Sequence, residues 1–303
     1  MIEEPQLRVL DTSASVPSSY EENIVIIMGT PFIQLLRPTN LDEYDRDRRP
    51  SEQSGDVPKT FLDAMEVREQ VFVIEQNVPL ANEFDSDDAR SCHWVCLILL
   101  TAGVTNGEQV VYASINTTTD PEVKDAEGNI VKRKRSVTRS TPIGTIRLVP
   151  FPHPPHPEPG SVFTFNAEEE PAGPPPYITD RPTTFHDGKE PYIKLGRIAV
   201  VKEFRGAGVA RMLADAALTW AQENPTFFNP SVTTLGMENL GAKKLEDIPV
   251  WKGLVCVHAQ ESVEKAWAKW GFELDEGMGT WEEEGIKHVG MFRRLPIVSN
   301  AAI

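Results

Sequence analysis

Three cysteines, Cys92, Cys96 and Cys256, are too few and too odd in number for a disulfide scaffold in a chain of 303 residues. With no secretory leader pattern at the start, they favour a reducing compartment: the cytoplasm, with the nucleus as an alternative. Long apolar runs are missing too. The longest, Trp94–Leu100, has seven residues, against the roughly 20 that a membrane helix needs. Positive charge is in deficit: 30 basic against 45 acidic side chains give a net charge of −15, the wrong sign for a protein that coats nucleic acid. There is no G-x-S-x-G for a serine hydrolase and no GxxxxGK[ST] for a nucleotide P-loop. Cys92, His93 and Cys96 lie close together and HPPH stands at 153–156, but no fourth ligand has regular spacing, so no metal is expected.

The chain does have enough apolar residues, 40%, for one large domain or two small ones. It also has 25 prolines, eleven of them between 150 and 182. That stretch lacks backbone donors and helix propensity, and is expected to leave the core as an extended excursion. Residues 1–20, 39–60 and 117–142 show no apolar periodicity and read as tail or loop, KRKR at 132–135 included, although that tetrapeptide could also be a nuclear signal. Between them lie patterned segments. Phe61, Ala64, Met65, Val71 and Phe72 repeat at helical spacing over 60–72. Residues 93–100, 143–149, 192–201 and 254–258 read as strands, 209–220 and 261–270 as helices, and 278–281 with 288–293 as a hairpin. The order predicts a mixed α/β fold whose sheet is not wholly parallel.

Most of the chemistry is carried by the junction between strand 192–201 and the helix after it, Phe204-Arg-Gly-Ala-Gly-Val-Ala210. A helix start presents unpaired N–H groups and a partial positive charge, which together suit a phosphate-type anion. Gly206 and Gly208 let the backbone approach that anion, and Arg205 can add charge-assisted contacts. The pattern is not a dinucleotide GxGxxG, because the third glycine is missing.

Arg205-x-x-Gly208-x-Ala210 after RIAVVKEF resembles the acyl-CoA-binding motif of the GNAT acetyltransferases. EVREQVFVIEQ at 66–76 with VPLANEFDSDD and His93, HAQESVEKAWAKWGFE, and EEEGIKHVGMFRR are similar to further motifs of that family, in the right order, and resemble its small ElaA/YjcF-like subgroup with added insertions. The resemblance implies a mostly antiparallel central sheet flanked by helices, with long Pro-rich insertions. It implies one domain over 21–295, inserted at about 103–142, 150–190 and 225–250, with tails at 1–20 and 296–303. It also implies N-acetyl transfer from acetyl-CoA to a small primary amine by direct attack in a ternary complex, the alternative being a catalytically silent acyl-CoA-binding module. Ile198, Ala199 and Val200 would offer main-chain contacts to the pantetheine arm. The amides of Arg205, Gly206, Ala207, Gly208, Val209 and Ala210 would hold the pyrophosphate, with Gln260 beside the arm. One position departs from the family: many members place a tyrosine where Trp267 stands, and an indole cannot protonate a departing thiolate.

Amine attack requires a neutral amine, so a nearby base is useful. Glu75 follows the first helix in an apolar setting, VFVIEQ, that could raise its pKa, with backbone capping as the equal alternative. His93 and His288 could titrate near neutrality or be structural. Glu83, Asp85, Asp87 and Asp88 read as a solvated acidic loop, or as a holder for the substrate ammonium. Cys256, in mid-strand, reads as core. No nucleic-acid or membrane partner is expected, and the oligomeric state is not legible.

Overall fold

The computed structural model describes residues 30–101, 138–167, 173–229, 236–238 and 240–297, with short strand pieces at 104–105, 108–109, 123–124 and 130–132. The expected tail at 1–20, most of the one at 296–303, and residues 133–135 of KRKR lie outside these. The chain divides into two units, 1–28 with 100–139, and 29–99 with 140–303. In the first, β3 (Val104–Thr105) pairs antiparallel with β4 (Glu108–Gln109), and β5 (Val123–Lys124) with β6 (Ile130–Lys132). The stretch 117–142 is therefore not all loop: it holds β5, β6 and the start of the next strand.

The second unit is built on one sheet. Its strands are β1 (Phe32–Leu36), β2 (Cys92–Thr101), β7 (Thr138–Val149), β8 (Val162–Phe163), β9 (Tyr192–Val200), β10 (Leu254–Gln260), β11 (Glu273–Leu274), β12 (Thr280–Glu283) and β13 (Ile286–Arg294). The order across the sheet is β1-β2-β7-β9-β10-β13-β12-β8, with β11 also on β13. Five of the registered pairs are antiparallel and two, β9–β10 and β12–β8, are parallel. This is the mixed, mostly antiparallel sheet expected. Its middle strands carry the longest apolar runs because both faces are covered.

One face is covered by α1 (Lys59–Arg68), which continues as a π-helical stretch to Glu75. Ala64 packs against Val95 and Leu97, and Val67 and Val71 against Ala199. The other is covered by α2 (Val209–Glu223), whose buried Val209, Leu213, Ala214, Ala217, Leu218 and Ala221 make the apolar stripe seen in the sequence. Gly144 lets α2 come close: a β-carbon there would lie 2.9 Å from Val209 Cγ1 and 3.0 Å from Leu213 Cδ1. A short α3 (Glu264–Lys269) follows β10 and buries Trp267.

The Pro-rich segment is extended, as its composition predicts, but it does not leave the core. Phe151, His153, His156 and His186 are buried. His153 stacks on Tyr192 at 4.6 Å, and His186 on Phe292 at 6.1 Å. Aromatic rings and imidazoles supply the apolar contact that periodicity could not reveal.

Candidate active site

The parallel pair β9–β10 is in register only from Tyr192/Leu254 to Leu195/Val257. Beyond that point β9 runs on to Val200 bonded to β7, and β10 runs on to Gln260 bonded to β13. The two strands part there, and their facing main-chain edges are no longer bonded to each other. In β9 the splay coincides with a bulge: the register against β7 shifts, and Arg197 takes a left-handed backbone with φ +49°. Ile198, Ala199 and Val200, the expected main-chain contacts, follow it along one arm of the gap.

At the mouth stands the glycine-rich helix start. Gly206 and Gly208 have φ +80° and +82°, and a β-carbon at either would meet nothing within 4 Å. The turn is thus held in a conformation that favours glycine and faces open space. The first main-chain bond of α2 runs from Met212 N–H to the Gly208 carbonyl, at 3.0 Å. The preceding amides of the helix start have no intrahelical acceptor, although Arg205 N–H donates to the Lys202 carbonyl at 3.3 Å in the turn before it. These residues fit a pyrophosphate.

Arg205 is engaged in this structure. It donates to the Val200 carbonyl at 2.9 Å and to both Glu75 carboxylate oxygens at 2.9 and 2.8 Å. The apolar setting expected for Glu75 is absent: it is an exposed carboxylate paired with a guanidinium, because the π-helical stretch carries it past the hydrophobic contacts of Val71. Its neighbour Gln76 accepts from Gln260 Nε2 at 3.0 Å. Gln260 therefore stands at the end of the second arm.

The acidic loop is neither solvated nor free to hold an ammonium. Glu83, Asp85 and Asp88 are buried and form a closed ring with three arginines. Arg68 meets Glu83 at 3.2 Å and Asp88 at 2.8 Å. Arg147 meets Asp88 at 2.7 Å and Asp85 at 2.5 Å. Arg197, at the bulge, meets Asp85 at 3.0 Å and Glu83 at 3.8 Å. Burial works against charge on Asp85 and Asp88. The guanidinia outweigh it and hold both carboxyls well below the usual range. Asp87 alone stays at the rim, bonded to Arg90.

His93 lies under this ring, with Nε2–H donating to the Asp88 carbonyl at 2.9 Å and Phe61 against its edge at 5.2 Å. Burial pushes its pKa down to about 4, so it does not titrate near neutrality. His288 is buried, donates Nδ1–H to the Ile286 carbonyl at 2.8 Å and stacks on Trp281. Cys256 is core, and burial pushes its thiol pKa up. Trp267 packs between Trp270 and Phe272, each ring 5.0 Å away.

One residue was not singled out in the sequence. His258 is the first residue of β10 beyond the last β9–β10 pair. Its Nδ1 is 3.6 Å from Glu283 Oε1, which also accepts Trp281 Nε1–H at 2.6 Å. Burial lowers the His258 pKa below its ordinary value, leaving a neutral ring at pH 7. The carboxylate orients Nδ1–H towards itself, so Nε2 is bare, and it has no partner among the described residues. Its position one residue past a strand pair was the available signal, but only the register reveals where that pair ends.

Residues 107–245 match the model of the acetyltransferase (GNAT) family. Among solved structures, the chain is similar to a Lactobacillus plantarum protein assigned as an N-acetyltransferase (16% identity, 88% of this chain and 100% of that one, TM-score 0.42). It is also similar to Escherichia coli ElaA (15%, 88% and 100%, 0.39) and to an acyl-CoA N-acyltransferase from Pseudomonas aeruginosa (14%, 87% and 99%, 0.39). No curated protein matches its sequence. Residues 107–245 are thus similar to an acetyltransferase domain of the GNAT family, a class of acyltransferases. No helix among the described residues is long and apolar enough to cross a membrane.

Proposed function

We propose that the protein transfers an acetyl group from acetyl-CoA to a primary amine by direct attack in a ternary complex. The observation that carries this reading is the splay of β9 from β10, with the RGAGVA helix start at its mouth. In this reading the amides from Arg205 to Ala210 bind the pyrophosphate, and Arg205 exchanges Glu75 for a phosphate oxygen. The main chain at Ile198, Ala199 and Val200 pairs with the pantetheine arm, and Gln260 flanks it. His258 Nε2 accepts the ammonium proton, directly or through one water, while Glu283 steadies the imidazolium. Trp267 takes no part. The coenzyme A thiol has a pKa of roughly 8–9 by analogy with cysteine, so it can leave as thiolate.

Acetyl-CoA at 100 times its dissociation constant should stabilise the protein by about 2.7 kcal/mol. Gly208→Glu should abolish that gain by placing a carboxylate where the pyrophosphate sits. Gly208→Ala bears the same left-handed strain without the charge, and should keep most of it. A gain unchanged in Gly208→Glu overturns the site. Release of coenzyme A across a panel of amines then tests turnover. The second reading, a silent acyl-CoA-binding module, draws on the buried indole of Trp267, and binding without release for any amine would favour it.

A further inference from the structure

Beneath the Pro-rich segment, away from the splayed strands, two imidazoles and a carboxylate converge. His156 Nε2 lies 2.8 Å from His186 Nδ1 and 3.7 Å from Asp180 Oδ2, and one ligand atom from each residue lies within 4.8 Å of the others. His156 and His186 are 3% and 4% exposed. We propose that His156, Asp180 and His186 form a site for a divalent transition-metal ion, zinc being the first candidate, which fastens the two legs of the Pro-rich segment together.

The tautomers favour it. His186 Nε2 faces the Glu190 carbonyl at 2.9 Å, and a carbonyl only accepts, so Nε2 carries the proton and Nδ1 is a bare lone pair aimed into the cluster. An imidazole bound to metal through one nitrogen, with the other donating to a backbone carbonyl, is the usual supporting arrangement. In this arrangement His156 Nε2–H donates to the His186 Nδ1 lone pair at 2.8 Å, and His156 Nδ1 has no partner among the described residues, so it is free to take the proton when a metal replaces this one hydrogen bond. Moving its proton to Nδ1 bares Nε2 for the metal with no net proton release. Burial lowers the His156 pKa to about 4, so the ring is already neutral at pH 7. Asp180 is oriented by the amides of His156 and Arg181, at 2.6 and 2.7 Å.

The dimensions suit a small ion. Two nitrogens on a tetrahedral zinc, each about 2.0–2.1 Å from the metal, stand about 3.3 Å apart. The 2.8 Å pair need open by only about half an ångström. Zinc takes imidazole and carboxylate ligands together. A cavity of 30 Å³ bordered by Asp180 and His186, though not by His156, has room for one water beside the cluster. His156 and His186 are 30 residues apart, so the ion closes a long loop whose own backbone is poor in hydrogen-bond donors.

The test uses the full-length protein, stripped with a chelator and titrated with zinc chloride. One zinc per chain should bind, the melting temperature should rise by several degrees, and histidine nitrogen resonances should shift at His156 Nε2 and His186 Nδ1. Zinc content should fall to background in His156→Asn/His186→Asn. Asp180→Asn, which keeps one of the two oxygens that accept backbone amides, should weaken binding by at least about tenfold while leaving the far-UV spectrum unchanged. Background zinc in the wild type overturns the site, as does full retention in the double variant or shifts confined to other histidines. The proposed acyl transfer uses none of these three residues as a reacting group, so zinc content and amine turnover are read separately.

Discussion

Asp88→Asn probes the ring of charges that supports the bulge in β9. Asp88 is fully buried and bonds to Arg68, 1% exposed, and to Arg147, 6% exposed. The substitution keeps the shape but leaves the buried Arg68 and Arg147 short of a carboxylate on the inner side of the ring, Arg197 alone being partly exposed. Removing one partner of a buried ion pair costs about 3–5 kcal/mol, chiefly as the penalty of the stranded charge. At about 2 °C per kcal/mol for a chain this large, the melting temperature should fall by roughly 6–10 °C. Asp87→Asn is the internal control: it breaks a rim pair whose members are 16% and 17% exposed, and should cost no more than about 1 kcal/mol. A cycle with Arg68→Met should then show Asp88→Asn costing less when the facing guanidinium is already gone. Differential scanning calorimetry of the wild type and the four variants reads all of this. Melting of Asp88→Asn within about 2 °C of the wild type would refute the claim that Asp88 pairs with two guanidinia sheltered from water.

Three further outcomes are expected. Glu75→Gln releases Arg205 from a half-exposed pair of about 0.2–1 kcal/mol, so acetyl-CoA should bind about 1.4- to 5-fold tighter with kcat retained; a fall in kcat of roughly a hundredfold would instead make Glu75 the base. His258→Asn should lower kcat by about a hundredfold and leave the acetyl-CoA melting shift intact, and wild-type rates across pH 6–9 would remove His258 from the mechanism. Stability should fall with acid in two stages. His93 is held neutral down to about pH 4 in the fold but protonates near 6.5 when unfolded, so stability present above 6.5 is lost by up to about 1.4 kcal/mol per pH unit between those values. Asp85 and Asp88 have depressed pKa values in the fold, so their contribution is present above about pH 4 and is lost below it. Denaturant midpoints flat from pH 7 to 3 would contradict both.

The strands and helices were legible where apolar periodicity is strong. Residues 143–149, 192–201, 209–220 and 254–258 all fall on β7, β9, α2 and β10, and the hairpin falls on β12 and β13. The strand Phe32–Leu36 was missed: FIQLL is only five residues and half-exposed at an edge, so it carries little pattern. The helix start at RGAGVA was legible because glycine spacing is local. The ring was not, because Arg68, Arg147 and Arg197 come from three elements, and the acidic run 83–88 discloses its own charges but not their partners. For the same reason Glu75 looked apolar from its neighbours in the chain, while Arg205, 130 residues on, decides its environment.

The two tethers at the mouth of the gap also amount to a linkage. Glu75 holds Arg205, beyond one arm, and Gln76 holds Gln260, at the end of the other. The two tethering residues are joined by a single planar peptide unit, about 3.8 Å from one α-carbon to the next. A shift of this one short piece of chain therefore moves Arg205 and Gln260 together, so the two sides of the site are coupled through a single peptide unit rather than through the packing of whole elements.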